Sequence, residues 1–278
     1  MKQPFALASS LFSFILKTVF AVACLAVLLC FSSCSSSRNV ASAGGNREYI
    51  AIRVYHAADA AQLSAVDNFL QAGLVPALTS AGFNRIGAFA AIDNDTAKDK
   101  RLYVFVPFRS LAQLQQVTDV ANTALTTAGA APYTNAAYNS PPFTRFETII
   151  LQSFTGMPVV KASGVQGDLA ERVYELRSYE SATEALHQNK VRMFNSGEVD
   201  LFQRLGFNAV FYGQVVAGSR MPNLMYMTSF ASKAARDEHW KMFGSDPQWK
   251  QMSSDPQYQN NVSHIDITFL RPTTYSKL

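Results

Sequence analysis

The chain has 278 residues, 48% of them hydrophobic and 16% charged, with a formal net charge of +4. That composition is ordinarily globular and offers core material for one large domain or two of common size. No stretch concentrates Lys and Arg into the stripe of a nucleic-acid binder. All three cysteines (Cys24, Cys30, Cys34) fall in the first 34 residues, which excludes disulfides, thiolate metal sites and thiol nucleophiles from the body.

Residues 1–33 read as a secretory signal, with Lys2 followed by an apolar run broken only by Lys17. Its core, residues 19–31, is shorter than the roughly 20 apolar residues of a membrane span. It ends in Phe31-Ser-Ser-Cys34, similar to a bacterial lipobox, which implies a lipidated Cys34 as the mature N-terminus. The alternative is an ordinary signal peptide cleaved near Ser33. A multiply acylated cysteine anchors stably, at about 0.8 kcal/mol per buried CH₂. The expected location is therefore the bacterial cell envelope, lipid-anchored on the outer membrane or periplasmic face. Lys2 and Lys17 are the only charges before Cys34, so the mature chain keeps 22 basic and 20 acidic residues. Residues 34–47, rich in Ser, Gly and Asn, read as a flexible tether.

The body is written twice. Arg53 to Asn84 aligns without a gap on Arg177 to Asn208, with Arg53, Tyr55, Gly73 and Gly82-Phe-Asn84 recurring as Arg177, Tyr179, Gly197 and Gly206-Phe-Asn208. Further on, Phe146-Glu147 meets Ile265-Asp266. Self-similarity over so long a period means that each copy is a whole small domain. The first repeat spans 48–154, a linker 155–171, and the second repeat 172–272. Periodicity predicts strands over 49–56, 83–92, 101–108 and 144–152, with helices over 60–81 and 110–127. In the second copy the strands are 172–179, 207–217, 222–230 and 262–271, and the helices 182–205 and 232–250. Pro76 should kink the first helix or start a new one, and Gly82 and Gly206 should cap helices at positive φ. The β-α-β-β-α-β order is ferredoxin-like. The fold class is α+β: two such repeats packed sheet to sheet as an internal pseudo-dimeric α+β barrel.

Three segments of the second copy carry a family resemblance: Tyr174-Glu-Leu-Arg-Ser-Tyr179, Arg204-Leu-Gly-Phe207, and Ala235-Arg-Asp-Glu-His-Trp240 followed by Asp246-Pro-Gln-Trp249. In order and spacing this resembles the NIPSNAP family over residues 172–272. The first copy departs from it, with Ala51 in place of the strand glutamate and no Asp-Pro-x-Trp. The resemblance implies a dimeric α+β barrel fold and no established reaction. Eukaryotic members are linked to mitochondria and vesicle traffic, a poor guide for a chain with a bacterial leader.

Strand alternation separates two faces. The apolar row Ile50, Ile52, Val54, with its match Tyr174, Leu176, Ser178, is expected to meet the helices. The opposite row, containing Arg53 and Tyr55, and Glu175, Arg177 and Tyr179, is expected inside the barrel with Glu147, Asp266 and Thr268. Cross-strand pairs Arg53–Glu147 and Arg177–Asp266 follow, with Asn84 and Asn208 near them. The set reads either as a small-ligand pocket whose arginines clamp an anion or as buried ion pairs that set strand register. Glu175, unmatched in the first copy, is the leading ligand-contact candidate, and Tyr226 a further one. His239 could hold haem as related barrels do; otherwise no cofactor is expected. His56, His187 and His264 show no metal-ligand spacing, so no metal is expected. Asp246-Pro-Gln-Trp249 and Asp255-Pro-Gln-Tyr258 read as helix starts, each pressing a ring onto the barrel end or gating it. The expected function is a lipid-anchored binding or interaction module for a small molecule or protein partner, with self-association left open. The alternative is a cofactor-independent oxygenase or isomerase, or a haem-associated enzyme, working in the barrel cavity.

Overall fold

The computed structural model describes residues 47–278. The leader, Cys34 and the tether before Arg47 lie outside the described residues. The first repeat runs β1 (Tyr49–Ala57), α1 (Ala60–Phe69), a π-helical turn (Leu70–Leu74), α2 (Val75–Ser80), β2 (Gly87–Ala91), β3 (Lys100–Phe108), α3 (Leu111–Ala124), α4 (Ala131–Thr134) and β4 (Arg145–Ser153). The second runs β5 (Val173–Glu180), α5 (Glu184–Met193), a π turn (Phe194–Glu198), α6 (Val199–Arg204), β6 (Asn208–Ala217), β7 (Asn223–Phe230), α7 (Lys233–Ser245), α8 (Pro247–Ser254) and β8 (His264–Pro272). No helix among the described residues is long and apolar enough to cross a membrane.

The helix starts follow from short polar side chains. Asp59 accepts the Gln62 N–H at 2.8 Å, Thr183 that of Leu186 at 3.2 Å, Ser232 that of Ala235 at 3.2 Å and Asp246 that of Gln248 at 2.9 Å, each satisfying an orphan first-turn donor. The helix expected over 60–81 is interrupted by a π turn, and its copy is interrupted at the matching place. A second short helix does begin at Val75 with Pro76 in its first turn, but the proline does not cause the interruption, because Asp200 stands there in the second copy. Both turns hold the shared glycine, and at Gly73 an added Cβ would lie 3.1 Å from Thr127 Oγ1. The helices end at Gly82 (φ 94°) and Gly206 (φ 77°). The next amides reach back to the Leu78 and Phe202 carbonyls at 3.0 Å, the closure that a residue in the left-handed region permits.

All eight strands form one closed barrel in the order β1-β3-β2-β8-β5-β7-β6-β4. Each repeat supplies four strands, and the repeats join edge to edge at β2–β8 and β4–β6. The expected linker is no loose connection. Phe154 N–H donates to the Tyr212 carbonyl at 2.8 Å and Lys161 N–H to that of Val210 at 2.9 Å, carrying the chain along β6. Residues 273–277 do the same along β2, through Thr273 to Ala88 (2.9 Å) and Lys277 to Ile86 (2.8 Å).

The faces of β1 and β5 are the reverse of the expectation. Ile50, Ile52, Val54, Tyr174 and Leu176 pack inside the barrel with Phe89, Phe105, Val210, Phe211 and Met227. Ala51 and Tyr55 pack against Val66, Leu70 and Leu78 of the first helix layer, and Tyr179 and Tyr226 against Phe194 and Phe202 of the second. The physical reason is closure. A barrel interior is walled by strands alone and holds no helix side chains to bond a polar group, so it takes the most apolar rows. Register then forbids the two expected ion pairs: Arg53 lies opposite Thr148 and Glu147 opposite Val54, while Arg177 lies opposite Ile267 and Asp266 opposite Ser178. Each arginine and its expected partner point to opposite faces.

One barrel end is shut. Val160 and Leu278 join the interior cluster, the Tyr174 hydroxyl donates to the Leu278 carbonyl at 2.9 Å, and buried Glu48 accepts Arg85 and the Val160 N–H. The other end is open.

Nothing lies within 4 Å of a Cβ added at Gly82, so Gly82→Ala isolates the backbone cost of φ 94°. It should lower stability by about 1–2 kcal/mol, read from urea unfolding with an unchanged m-value.

Candidate functional site: the barrel mouth

The open end holds a cavity of about 340 Å³. Its floor is apolar, made by Ile52, Val54, Ile149, Leu176 and Met225, and its rim carries His56, Asp99, Arg101, Arg145, Glu147, Arg220 and Asp266. Alternation explains most of the layering: His56, Arg101, Arg145, Glu147 and Asp266 continue the interior rows of β1, β3, β4 and β8 past the point where the barrel can still exclude water, while Arg220 reaches in from the turn between β6 and β7. Both repeats contribute. His56 lies opposite Arg145, and their counterparts Glu180 and His264 lie opposite each other in the second copy.

The rim is a chain of charge pairs. His56, only 7% exposed, sets Nδ1 at 2.9 Å from Asp99 and Nε2 at 3.4 Å from Glu147, and Arg145 reaches Glu147 at 2.9 Å. Across the mouth Arg220 pairs with Asp266, which also lies 3.2 Å from His264. Glu180, His264 and Asp266 bring ligand atoms within 4.8 Å of one another, a gathering that spacing in the sequence concealed. Ser178 and Asn223 bond each other at 2.8 Å. Burial pushes the Tyr103 phenol up against the pull of nearby Arg101, so it stays a donor at neutral pH. Of this set, only Glu147 and Asp266 were singled out from the sequence. His56, Arg101 and Arg145 each extend an alternating row but lie far apart in the chain, and Arg220, in the turn between β6 and β7, carries no such signal.

The expected candidates on β5 belong elsewhere. Glu175 is fully buried on the helix side. It accepts Arg236 through Nε (2.7 Å) and a terminal nitrogen (2.6 Å), Arg177 at 3.2 Å and Trp240 Nε1 at 2.7 Å. Arg177 also stacks 4.2 Å above the Trp240 ring. Four donors on one carboxylate leave nothing for a ligand, so Glu175 is a structural anchor for α7. Tyr179 and Tyr226 share a hydroxyl–hydroxyl bond of 2.8 Å, and burial raises the Tyr179 phenol to about 12. Arg53 stacks 4.6 Å above Phe146, and Tyr55 stacks on the same ring at 4.9 Å. Asn208 lies at the start of β6, its amide donating weakly to the Gly206 carbonyl at 3.4 Å. His239 bonds the Ala235 carbonyl at 2.7 Å and is wedged between Phe207 and Phe230, with centroids 5.5 and 5.4 Å away. That packing does not fit a haem ligand. Trp249 packs on Phe243 at 4.4 Å, within the helix layer and away from the mouth.

A second buried pair has no signal in the first copy. Lys190 donates to Glu198 at 2.8 Å beneath the second π turn, where the first copy has Val66 and Leu74.

Residues 174–277 match the NIPSNAP family model. The second repeat is a NIPSNAP domain. No curated protein sequence matches the chain. Among solved structures, a candidate monooxygenase from Fusobacterium nucleatum superposes with TM-score 0.55 at 6% identity, over 82% of this chain and 93% of that one. One from Lactobacillus acidophilus NCFM gives 0.52 at 13%, over 81% and 94%. An anthrone oxidase-like protein gives 0.51 at 10%, over 84% and 97%. At these identities the likeness is one of fold: the whole two-repeat barrel is shared. Within the NIPSNAP repeat, the Glu-x-Arg strand motif and the Arg-x-x-x-Trp helix motif are the two halves of the Glu175 cluster.

Glu175→Gln keeps the shape but removes the charge that offsets two largely buried guanidinium groups. It should cost about 3–5 kcal/mol in chemical unfolding and leave the mouth unaltered.

Proposed function

We propose that the protein binds a small molecule in the barrel mouth and that lipid on Cys34 holds it to the bacterial cell envelope. The observation that carries the reading is the layering of the mouth, an apolar floor beneath a ring of paired charges drawn from both repeats. A cavity of about 340 Å³ falls within the range of small-molecule pockets. The ligand that suits it has an apolar body buried on Leu176 and Met225 and a polar or charged head at the rim. Deeper in the barrel, Phe89, Phe105, Tyr174 and Phe211 fill the space, so the site is confined to the mouth. The leader and Phe31-Ser-Ser-Cys34 support the anchor.

One observation favours a second reading, a cofactor-independent oxygenase or isomerase in the same mouth. His56 lines the cavity with Asp99 on Nδ1 and Glu147 3.4 Å from Nε2, so Asp99 orients the imidazole and Nε2 would act as a base once a substrate displaces Glu147. The monooxygenase names of structures that share the fold point the same way.

Native mass spectrometry of protein purified from its host should show a retained small molecule, and Met225→Trp, which fills the floor, should retain none. Equal retention by both proteins sinks the mouth as the site. A ligand at 100 times its Kd should add about 2.7 kcal/mol of stability, lost in the same variant. Turnover of the released molecule that disappears in His56→Gln decides for the enzyme. Cys34→Ser should move the protein from the membrane fraction to the soluble one, and an unchanged distribution overturns the anchor.

A further inference from the structure

The two repeats differ sharply where the chain leaves their last strands. Phe154 N–H to the Tyr212 carbonyl and Thr273 N–H to the Ala88 carbonyl are the same bond in the two copies, which makes Gly156 the counterpart of Tyr275. In the first copy the Tyr275 ring packs against the helix-side core, and its hydroxyl donates to Asp67 at 2.5 Å. In the second, Gly156 puts no side chain there, and Asp67 is replaced by Val191. Asn195 turns into that place and accepts the Gly156 N–H at 2.8 Å, and beside it, between residues 156–164, α6 and the start of β6, lies a groove of about 320 Å³.

The groove has apolar walls at Met157, Val199 and Phe207, with Lys161 and Asn208 among its polar lining. Tyr212 also lines it. Tyr212 is 1% exposed, and its hydroxyl has no hydrogen-bond partner among the described residues. The first copy has Ala88 at this position. Burial, with the Glu198 charge near it, pushes the Tyr212 phenol up, so the group is an O–H donor at every physiological pH. An unbonded buried hydroxyl costs about 1–3 kcal/mol, so the Tyr212 hydroxyl calls for a partner that the protein itself does not supply. Lys161 lies at the exposed side and makes no ion pair among the described residues.

We propose that this groove is a second small-molecule site, separate from the barrel mouth, that takes an apolar carbonyl compound: the Tyr212 hydroxyl donates to the carbonyl oxygen, and Lys161 attracts a carboxylate carried on the outer end. The apolar body rests on Met157, Val199 and Phe207. Rings or short chains fit the walls better than flexible polar molecules, because only Tyr212 offers a buried bond.

The test compares acetophenone, 4-acetylbenzoate and ethylbenzene by amide chemical-shift titration of the full chain, following Gly156 and Gly164. Acetophenone should bind about tenfold tighter than ethylbenzene, the worth of one hydrogen bond to a buried hydroxyl. Tyr212→Phe should erase that preference while ethylbenzene binds as before. 4-Acetylbenzoate should bind tighter than acetophenone, and Lys161→Gln should remove that gain alone. Gly156→Tyr should exclude all three probes, whereas Met225→Trp, at the mouth, should change none of the titrations. A ketone preference that survives in Tyr212→Phe, equal binding of ketone and hydrocarbon by the parent protein, or the lack of saturable binding by any probe overturns the proposal. Failure of the mouth to hold a ligand leaves these titrations unaffected.

Discussion

Barrel closure is the constraint on which the rest of the molecule depends. A single βαββαβ unit covers one face of its sheet with helices and leaves the other face and both edges bare. Joining β2 to β8 and β4 to β6 removes all four edges and buries both bare faces in one step. The interior so made is dry and has no helix lining it, so it accepts Ile, Val, Phe and Met and rejects ionised groups. Charged residues are driven outward, where helix side chains can bond them, or to the barrel ends, where Arg85 pairs with Glu48 at the shut end and water can reach the mouth.

The Glu175 cluster shows the outward solution. A fully buried carboxylate costs several kcal/mol of lost hydration, repaid only when its lone pairs are satisfied. Two arginines and a tryptophan do so, tying α7 to β5. The first repeat manages without the device, since Ala51 takes the strand position. Lys190–Glu198 follows the same division: the pair lies between helix and sheet in the NIPSNAP repeat, where the first repeat has Val66 and Leu74. Duplication therefore supplied a symmetric frame, and the two halves diverged within it. Gly156 against Tyr275, and Tyr212 against Ala88, are the sharpest instances of that divergence.

The mouth shows the other solution. Its rim residues occupy equivalent strand positions in the two repeats, yet histidine, arginine and carboxylate are dealt differently: His56, Arg145 and Glu147 on one side, Glu180, His264 and Asp266 on the other. The result is a rim of mixed charge with no twofold symmetry.

Local sequence was enough to determine the duplication, the order and approximate bounds of the strands and helices, the Asp246 and Asp255 helix starts, the glycines at positive φ and the ferredoxin-like class. Each rests on neighbours in the chain or on a repeat that can be laid on itself. The NIPSNAP motif was legible for the same reason. Which face of β1 and β5 turned inward was not, because alternation separates two faces without saying which is which. The apolar row could have met helices or the opposite wall, and only closure of the barrel decided between them. That decision moved Glu175 and Arg177 from a supposed pocket into a structural anchor, and brought His56 from one repeat into the same mouth as Asp266 from the other. Residues more than 200 positions apart meet there because eight strands close a ring, a relation that no local pattern encodes.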